Sequence, residues 1–157
     1  MKTVKIALLG FGTVSQGTFN LLQDNVDLIT NRSGVTIEIS KIFVRNPDKY
    51  TNITLPSTAQ YVTNIDDVLN DESIAIVVEL MGGTTFAKDC VEAALKHGKS
   101  VVTANKDLLA EAGPYLFELA YNNNVELRFD ASVLGGIPII RTLYESLGGN
   151  RITELVG

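Results

Sequence analysis

The residue pattern at the start of the chain restricts its fold more than any other feature. The run Lys5–Leu9 is apolar after its first residue, and the glycine-rich segment Gly10–Ser15 follows it directly. A continuous apolar run of this length suits a parallel strand that is covered on both faces. When a glycine-rich turn joins such a strand to a helix, the free N–H groups of the helix can bind a pyrophosphate. The pattern therefore predicts a dinucleotide-binding unit, and a glycine turn without a ligand is the alternative.

Individual positions of this turn have distinct roles in the prediction. Gly10 permits the tight turn, and Gly12 lets the backbone approach a pyrophosphate closely. Ser15 stands where a third glycine usually allows the helix to pack against the strand, and we expect a small serine to fit there. The helix is expected to carry one apolar stripe, formed by Val14, Gly17, Leu21 and Leu22.

Short apolar runs and helical patterns alternate along the rest of the chain, which is typical of βαβ units with a parallel sheet. Further strands are predicted at residues 35–44, 75–80, 100–103, 125–129 and 152–156. Helices are predicted at residues 65–70, from Phe86 to a cap at Gly98, at 106–123 with an interruption at Gly113–Pro114, and from Pro138 to Gly148. Residues 25–34 and 48–63 are expected to be irregular.

This order of elements predicts an α/β fold of the Rossmann type, with a doubly wound and mostly parallel sheet. We expect residues 1–150 to form this domain. Residues 151–157 are expected to be the first strand leading into a catalytic and dimerisation domain that the chain lacks. An apolar strand that stops without a polar tail indicates a cut rather than a natural terminus.

Composition and charge argue against several classes of function. The 157 residues carry a net charge of −5, which disfavours a nucleic-acid partner or an anionic membrane surface. No apolar run reaches the ~18 residues of a membrane span, and the N-terminus does not resemble a signal peptide. Cys90 is the only cysteine, so no intrachain disulfide can form and a reducing cytoplasm is the expected location.

The end of the second predicted strand bears on the choice of cofactor. Enzymes that use NAD usually carry Asp or Glu there to bind the ribose hydroxyls. This chain has Arg45 followed by Asn46. A guanidinium can pair with the 2′-phosphate of NADP, so NADP is favoured and NAD is the alternative. A solvated arginine without a binding role would give the same pattern.

Three later segments make a family resemblance specific. They are Val78–Gly83 (VELMGG), Val101–Lys106 (VVTANK) and Ala131–Ile140 (ASVLGGIPII). In this order after a Gly-x-Gly-Thr-Val turn, they closely resemble homoserine dehydrogenase over nearly the whole chain. The resemblance implies an oxidoreductase that interconverts aspartate semialdehyde and homoserine with NAD(P), on the route to threonine and methionine. It also implies a small-molecule substrate and a homo-oligomer for the full-length enzyme.

The resemblance implies a role in catalysis for Lys106, beside the nicotinamide and with Asn105 helping to place it. Hydride transfer to an aldehyde leaves an alkoxide that needs a proton, which a lysine can supply. A solvent-facing lysine at a helix start is the alternative. The cofactor positions implied are Gly10, Phe11, Gly12, Thr13 and Val14 at the pyrophosphate, and Gly82, Gly83 and Thr84 toward the ribose and nicotinamide.

The family also has a monovalent-cation site, usually for sodium, near its domain junction. The resemblance implies that the ligands here are Asp130, Val133, Gly135 and Ile137. The family more often has Glu where this chain has Asp130, so the shorter carboxylate puts the site in question. An aspartate that accepts backbone N–H bonds at a turn is the alternative.

Two further alternatives stay open from the sequence. One is a different Rossmann dehydrogenase, such as an aspartate-semialdehyde or sugar oxidoreductase. The other is a regulatory module that binds NADP without chemistry and has no need of Lys106. Because the second domain should hold the amino-acid end of the substrate, we expect this chain to bind nucleotide and to catalyse little or nothing alone.

Overall fold

The first strand sends alternate side chains to opposite faces, and this divides the hydrophobic core into two halves. The computed structural model describes residues 2–154 and 156. Ile6 and Leu8 pack in one cluster, whereas Ala7 and Leu9 pack in the other. Because successive residues of a strand point to opposite faces, only a strand covered on both sides is apolar at every position. The continuous apolar run is thereby explained.

The strands form a six-stranded sheet in the order β3-β2-β1-β4-β5-β6, with every pairing parallel. Their bounds are β1 (Lys2–Leu9), β2 (Val35–Phe43), β3 (Gln60–Val62), β4 (Ile74–Glu79), β5 (Ser100–Thr103) and β6 (Leu127–Arg128). The helices are α1 (Thr13–Asp24), α2 (Val26–Ser33), α3 (Asp66–Leu69), α4 (Thr85–Lys96), α5 (Lys106–Asn122), α6 (Asp130–Val133) and α7 (Ile139–Arg141). This order is that of a doubly wound Rossmann sheet, which confirms the predicted fold class.

Two segments expected to be irregular contain regular structure. Residues 26–33 form α2, which ends at Gly34 in the left-handed conformation. Its charges complement the helix dipole, with Asp27 in the first turn and Arg32 in the last. In the polar stretch that follows β2, Pro47–Tyr50 forms a 3-10 turn and β3 adds an edge strand beside β2. These elements are short, so the hydrophobic periodicity that would predict them from the sequence is weak.

The predicted stripe of α1 was wrong at Val14, Gly17 and Leu21, although its fourth member, Leu22, packs against the core. Val14 and Leu21 are exposed, and the residues that α1 buries are Ser15 and Phe19. The buried face is therefore displaced by one position along the helix. The prediction that a serine fits at position 15 is confirmed, because Ser15 is fully buried.

The predicted break at Gly113–Pro114 was also wrong, since α5 runs through it. Proline removes one helical hydrogen bond, to the carbonyl four residues earlier. Both Pro114 and Ala110 lie on the exposed side of α5, so water can solvate the freed carbonyl. Gly113 is buried, and a Cβ there would make only ordinary contacts with Phe117 at 3.6 Å and Leu109 at 3.9 Å. The predicted glycine cap after α4 is confirmed by Gly98, with φ +71°.

The segment after β6 packs little. Ser132 is the one buried residue among positions 130–154. The helix expected from Pro138 appears as α7 followed by a π turn over Thr142–Ser146. The strand expected at 152–156 is not formed at residues 152–154, because no neighbouring strand pairs with them, and Leu155 and Gly157 lie outside the described residues. In the described part of the chain, no helix is long and apolar enough to cross a membrane.

Candidate functional site

The carboxyl ends of the central strands meet at one edge of the sheet. The register aligns Leu9 with Phe43 on one side and with Glu79 on the other, and Glu79 with Thr103. The loops after these strands therefore emerge side by side. In open parallel sheets, ligands bind in the crevice at this edge, where the strand order reverses. Here that point lies between β1 and β4.

Two adjoining clefts occupy this edge, and the loop Leu80–Gly83 forms a wall of both. The first has a volume of about 540 Å³ and lies over the ends of β1 and β2. The second, of about 400 Å³, lies toward β5 and the start of α5. Together they form an elongated crevice of the kind that an extended dinucleotide needs.

The turn after β1 is held by the backbone. Gly10 has φ +85°, and its N–H donates to the carbonyl of Phe43 at 2.9 Å. A Cβ at this position would lie 3.0 Å from Cγ and 3.2 Å from Cα of Met81. Glycine is therefore required both by the conformation and by the close approach of the loop after β4. The Gln16 side chain donates to the carbonyl of Phe11 at 2.9 Å and fixes the next peptide.

The N-terminus of α1 is open to the first cleft. Gly12 is its N-cap, no side chain caps it, and its first turn carries no acidic residue. A Cβ on Gly12 would meet no atom within 4 Å, so the space in front of the helix is free. The phenyl ring of Phe11, by contrast, is buried among Phe19, Tyr50 and Tyr61. Only the main chain of Phe11 can therefore face a ligand.

The first cleft is cationic at its outer end. Arg45 and Lys49 line it, and both are exposed. The Arg45 guanidinium lies 5.8 Å from the centre of the Phe86 ring, a cation–π distance. None of the described residues that line this cleft is acidic. Sequence reasoning missed Lys49 because it lies in a polar stretch without a periodic pattern.

The second cleft is lined by Gly82, Gly83, Asn105 and Lys106, together with Val14 and the acidic Asp107. Asn105 caps α5, accepting a hydrogen bond from the N–H of Leu108 at 3.1 Å. Lys106 is the first residue of α5 and is exposed. Among the described residues no acidic side chain forms an ion pair with Lys106. Its ammonium group is thus available to a ligand in this cleft.

The predicted site residues are brought together only in part. The first cleft collects Gly10, Phe11, Gly12, Arg45, Gly82 and Gly83, and the second adds Val14, Asn105 and Lys106. Thr13 begins α1 and Thr84 is the N-cap residue of α4, and neither lines a cleft.

The predicted cation ligands follow β6 and line neither cleft, although Ala131 and Ser132, between two of them, border the second. Oδ1 of Asp130 accepts the N–H of Arg141 at 3.1 Å, and the carbonyl of Ile137 accepts the N–H of Ile139 at 2.8 Å. Val133 and Gly135 are exposed. The turn role of Asp130 that the sequence left open is therefore present. No cluster of three or more acidic, histidine or cysteine side chains suited to a metal occurs within the described residues.

The sheet order, the Gly10 turn and the open helix N-terminus define a dinucleotide-binding domain of the Rossmann class. A family model described as the NAD-binding domain of homoserine dehydrogenase matches residues 10–130. The chain belongs to this family.

Similar proteins agree with this assignment. The chain is 40% identical to a homoserine dehydrogenase of Bacillus subtilis, covering 100% of this chain and 36% of that protein. It is 45% identical to one of Synechocystis, covering 99% of this chain and 35% of that protein. The chain therefore spans about a third of the length of these curated relatives.

Solved structures give the same result. The crystal structure of a homoserine dehydrogenase from Thiobacillus denitrificans matches with a TM-score of 0.88 and 44% identity, covering 96% of this chain and 35% of that one. A hyperthermophilic archaeal homoserine dehydrogenase in complex with NADPH matches with a TM-score of 0.69 and 26% identity, over 94% of this chain and 50% of that one.

Proposed function

We propose that the chain is the cofactor-binding part of an enzyme that reduces aspartate semialdehyde to homoserine, reversibly and with NADP(H). The observation that carries the proposal is the pair of adjoining clefts, cationic at one end and bordered by the exposed Lys106 at the other. The relatives are about three times as long, so the activity proposed is that of a protein that includes their remaining length.

The first cleft fits the adenosine half of NADP. In Rossmann domains the residues after the second strand contact the ribose of this half. Arg45 and Lys49 occupy that place and could both pair with a 2′-phosphate, and the described residues that line this cleft include no carboxylate to repel it. A homoserine dehydrogenase solved with NADPH also supports a nicotinamide cofactor.

The start of α1 fits the pyrophosphate. Its free N–H groups and the positive end of the helix dipole favour an anion. The missing Cβ of Gly12 leaves room for the phosphates to approach the main chain. From there the cofactor would continue past Gly82 and Gly83, which border both clefts.

Lys106 fits the role of proton donor in the second cleft. NADPH, when bound, supplies a hydride to the aldehyde carbon of the substrate. The carbonyl oxygen then gains negative charge and needs a proton. The exposed ammonium of Lys106 stands at the cleft beside which the nicotinamide would lie, and the cap by Asn105 fixes the first turn that carries it.

Cofactor preference is tested by titrating the chain with NADPH and with NADH and following their fluorescence. We expect tighter binding of NADPH, and a loss of about tenfold in its affinity in Arg45→Ala or Lys49→Ala, which corresponds to about 1.4 kcal/mol. NADH affinity should change little. Arg32→Ala is the matched control, since Arg32 is an exposed cation in α2 that lines neither cleft. Equal affinities for the two cofactors, unaffected by Arg45→Ala, would refute the preference for NADP.

Catalysis is tested in a chimera that joins this chain to the remaining length of the Bacillus subtilis relative. Lys106→Ala should lower kcat by about 100-fold or more, the size of a general acid's contribution, while the exposed Lys2→Ala should not. The chain alone should bind NADPH but oxidise no homoserine. Near-normal turnover by the Lys106→Ala chimera would overturn the catalytic role.

Assembly as a homo-oligomer in the cytoplasm remains part of the proposal.

A monovalent cation at Asp130 is a separate part of the proposal. No hydrogen bond to Oδ2 of Asp130 is found among the described residues, and Oδ1 holds only the Arg141 N–H. Replacing choline chloride by sodium chloride at equal ionic strength should raise the Tm of the chain, and Asp130→Asn should abolish the difference. An equal Tm in both salts would remove the cation from the proposal.

A further inference from the structure

The last residue of β4 is a carboxylate that water does not reach. Glu79 is 0% exposed, between Leu9 of β1 and Thr103 of β5 in the sheet. Among the described residues no lysine or arginine forms an ion pair with it. Burial of an acidic side chain is unfavourable unless hydrogen bonds replace those to water. The neighbouring strand positions are apolar or uncharged, so the sheet itself does not need an acid here.

The two oxygens of Glu79 accept hydrogen bonds from different places, one from the loop after β4 and the other from the end of β5. Oε1 accepts the N–H of Met81 at 2.8 Å and that of Gly82 at 3.3 Å. Oε2 accepts the hydroxyl of Thr103 at 2.6 Å. The carboxylate thus joins the loop after β4 to the end of β5.

The hydrogen bonds continue from Thr103 and return to the same loop. The Thr103 hydroxyl oxygen accepts the N–H of Asn105 at 3.0 Å. The Asn105 side chain then donates to the carbonyl of Gly83 at 2.7 Å. Glu79, Thr103, Asn105 and the loop Met81–Gly83 therefore form a closed ring of hydrogen bonds, which we call the Glu79 ring.

The Glu79 ring fixes a backbone that would not be rigid by itself. Gly82 and Gly83 are consecutive and both have φ +74°, and a Cβ on either would meet no atom within 4 Å. Side-chain packing therefore holds the loop at Met81, which contacts the core, but not at the two glycines themselves. Glycine loses more conformational entropy than any other residue when its backbone is fixed. Hydrogen bonds must therefore offset the cost of fixing this turn. Two of these contacts come from Glu79 and one from Asn105.

We propose that Glu79 is a positioning residue for the nicotinamide end of the cofactor. It would act by holding the Gly82–Gly83 turn at a fixed separation from the start of α5, where Lys106 lies. The inference rests on the proposed function. Because Glu79 is completely buried, it touches neither cofactor nor substrate. Its effect should not extend to the outer end of the first cleft, which is built from Arg45 and Lys49, although the loop that it holds borders both clefts.

The test separates the two halves of the cofactor. The chain is titrated with NADPH, which spans both clefts, and with adenosine 2′,5′-bisphosphate, which carries only the adenosine half. Glu79→Ala should weaken NADPH binding at least tenfold, or about 1.4 kcal/mol, and leave the bisphosphate within about twofold. Thr103→Val should give the same split, because it removes the hydroxyl on which the ring depends. Glu79→Gln keeps an acceptor for Met81 and should recover part of the affinity.

The matched control removes a buried charge at the other end of the same strands. Lys99 is 3% exposed and donates to the carbonyls of Asp71 and Ile74 at 2.7 and 3.0 Å. Lys99→Met should lower stability to urea but leave both affinities unchanged. If Glu79→Ala and Thr103→Val weaken both ligands equally, or neither ligand, the positioning role is wrong. If the unmodified chain binds neither NADPH nor NADH, the proposed function fails as well.

Discussion

Replacement of Gly10 by alanine tests the most constrained contact of the site. An L-residue in the left-handed region costs about 1–2 kcal/mol, and Gly10 has φ +85°. The new Cβ would also lie 3.0 Å from Cγ and 3.2 Å from Cα of Met81, and 3.3 Å from the carbonyl oxygen of Leu80. Two of these three atoms belong to the backbone and cannot move alone. Crowding of this kind typically costs about 1–3 kcal/mol more.

The free energy of unfolding should therefore fall by about 2–5 kcal/mol in Gly10→Ala, measured by urea denaturation and linear extrapolation. Gly34→Ala is the matched control, because Gly34 has φ +76° but no atom within 4 Å of its Cβ. Its free energy of unfolding should fall only by the cost of the left-handed conformation, about 1–2 kcal/mol. Alanine also restricts the unfolded chain, but this effect is common to both variants and cancels in the comparison.

A third variant separates stability from binding. Gly12→Ala has neither a positive φ nor a close neighbour, so its stability should change by only about 0.5 kcal/mol. Its Cβ would project into the space proposed for the pyrophosphate, and NADPH affinity should fall. If Gly10→Ala is no more destabilising than Gly34→Ala, the close approach between the two loops is not what requires glycine at position 10.

Three further predictions follow from buried or paired side chains. The Ser15 hydroxyl is buried without a hydrogen-bond partner among the described residues. Ser15→Ala should therefore leave the free energy of unfolding unchanged or raise it by about 1 kcal/mol. A clear loss of stability in urea unfolding would contradict this. Burial, with the Asp89 and Glu79 charges, raises the pKa of Cys90 to about 11. Its thiol should therefore resist iodoacetamide at pH 8 until the chain unfolds, and rapid labelling of folded protein would be inconsistent with this burial. Hydrogen bonds from Lys41 and Ser73 lower the pKa of Asp71, and Lys41 also pairs with it at 2.8 Å. This stabilisation is complete above the unfolded pKa of about 3.9 and is lost as the pH falls toward the folded value. Asp71→Asn should accordingly cost about 1 kcal/mol at pH 7 and less at pH 3, whereas a pH-independent difference would disprove the linkage.

Patterns that reflect burial or obligatory backbone geometry allowed the correct predictions. The apolar run in β1 and the limits of β5 were recognised because a strand covered on both faces is apolar throughout. Gly98 was recognised as a cap because the left-handed conformation selects glycine after a helix. The helix α2 and the strand β3 were missed because they lie on the surface, where composition is only weakly restricted.

Other errors arose where neighbours decide what a residue does. The buried face of α1 is set by its contact with the sheet, and this places Ser15 and Phe19 inside although Val14 and Leu21 are more apolar than serine. Pro114 is tolerated within α5 because its side of the helix faces water. In the sequence Glu79 is merely a polar residue at the end of a strand. Only the fold shows that it lies next to Thr103, which is 24 positions away.

The class of the protein follows from local patterns in the sequence. A strand, a glycine turn and a helix in this order leave free N–H groups at a helix start, and the Ala-Asn-Lys and Gly-Gly-Ile-Pro segments identified the family before any contact was known. The assembly of the site depends on the tertiary structure, because its parts come from loops that are far apart in the chain. The parallel register brings the ends of β1, β2, β4 and β5 to one edge. Arg45 and Lys49 thereby line one cleft with the loop after β4, and the buried Glu79 carboxylate links that loop to the end of β5.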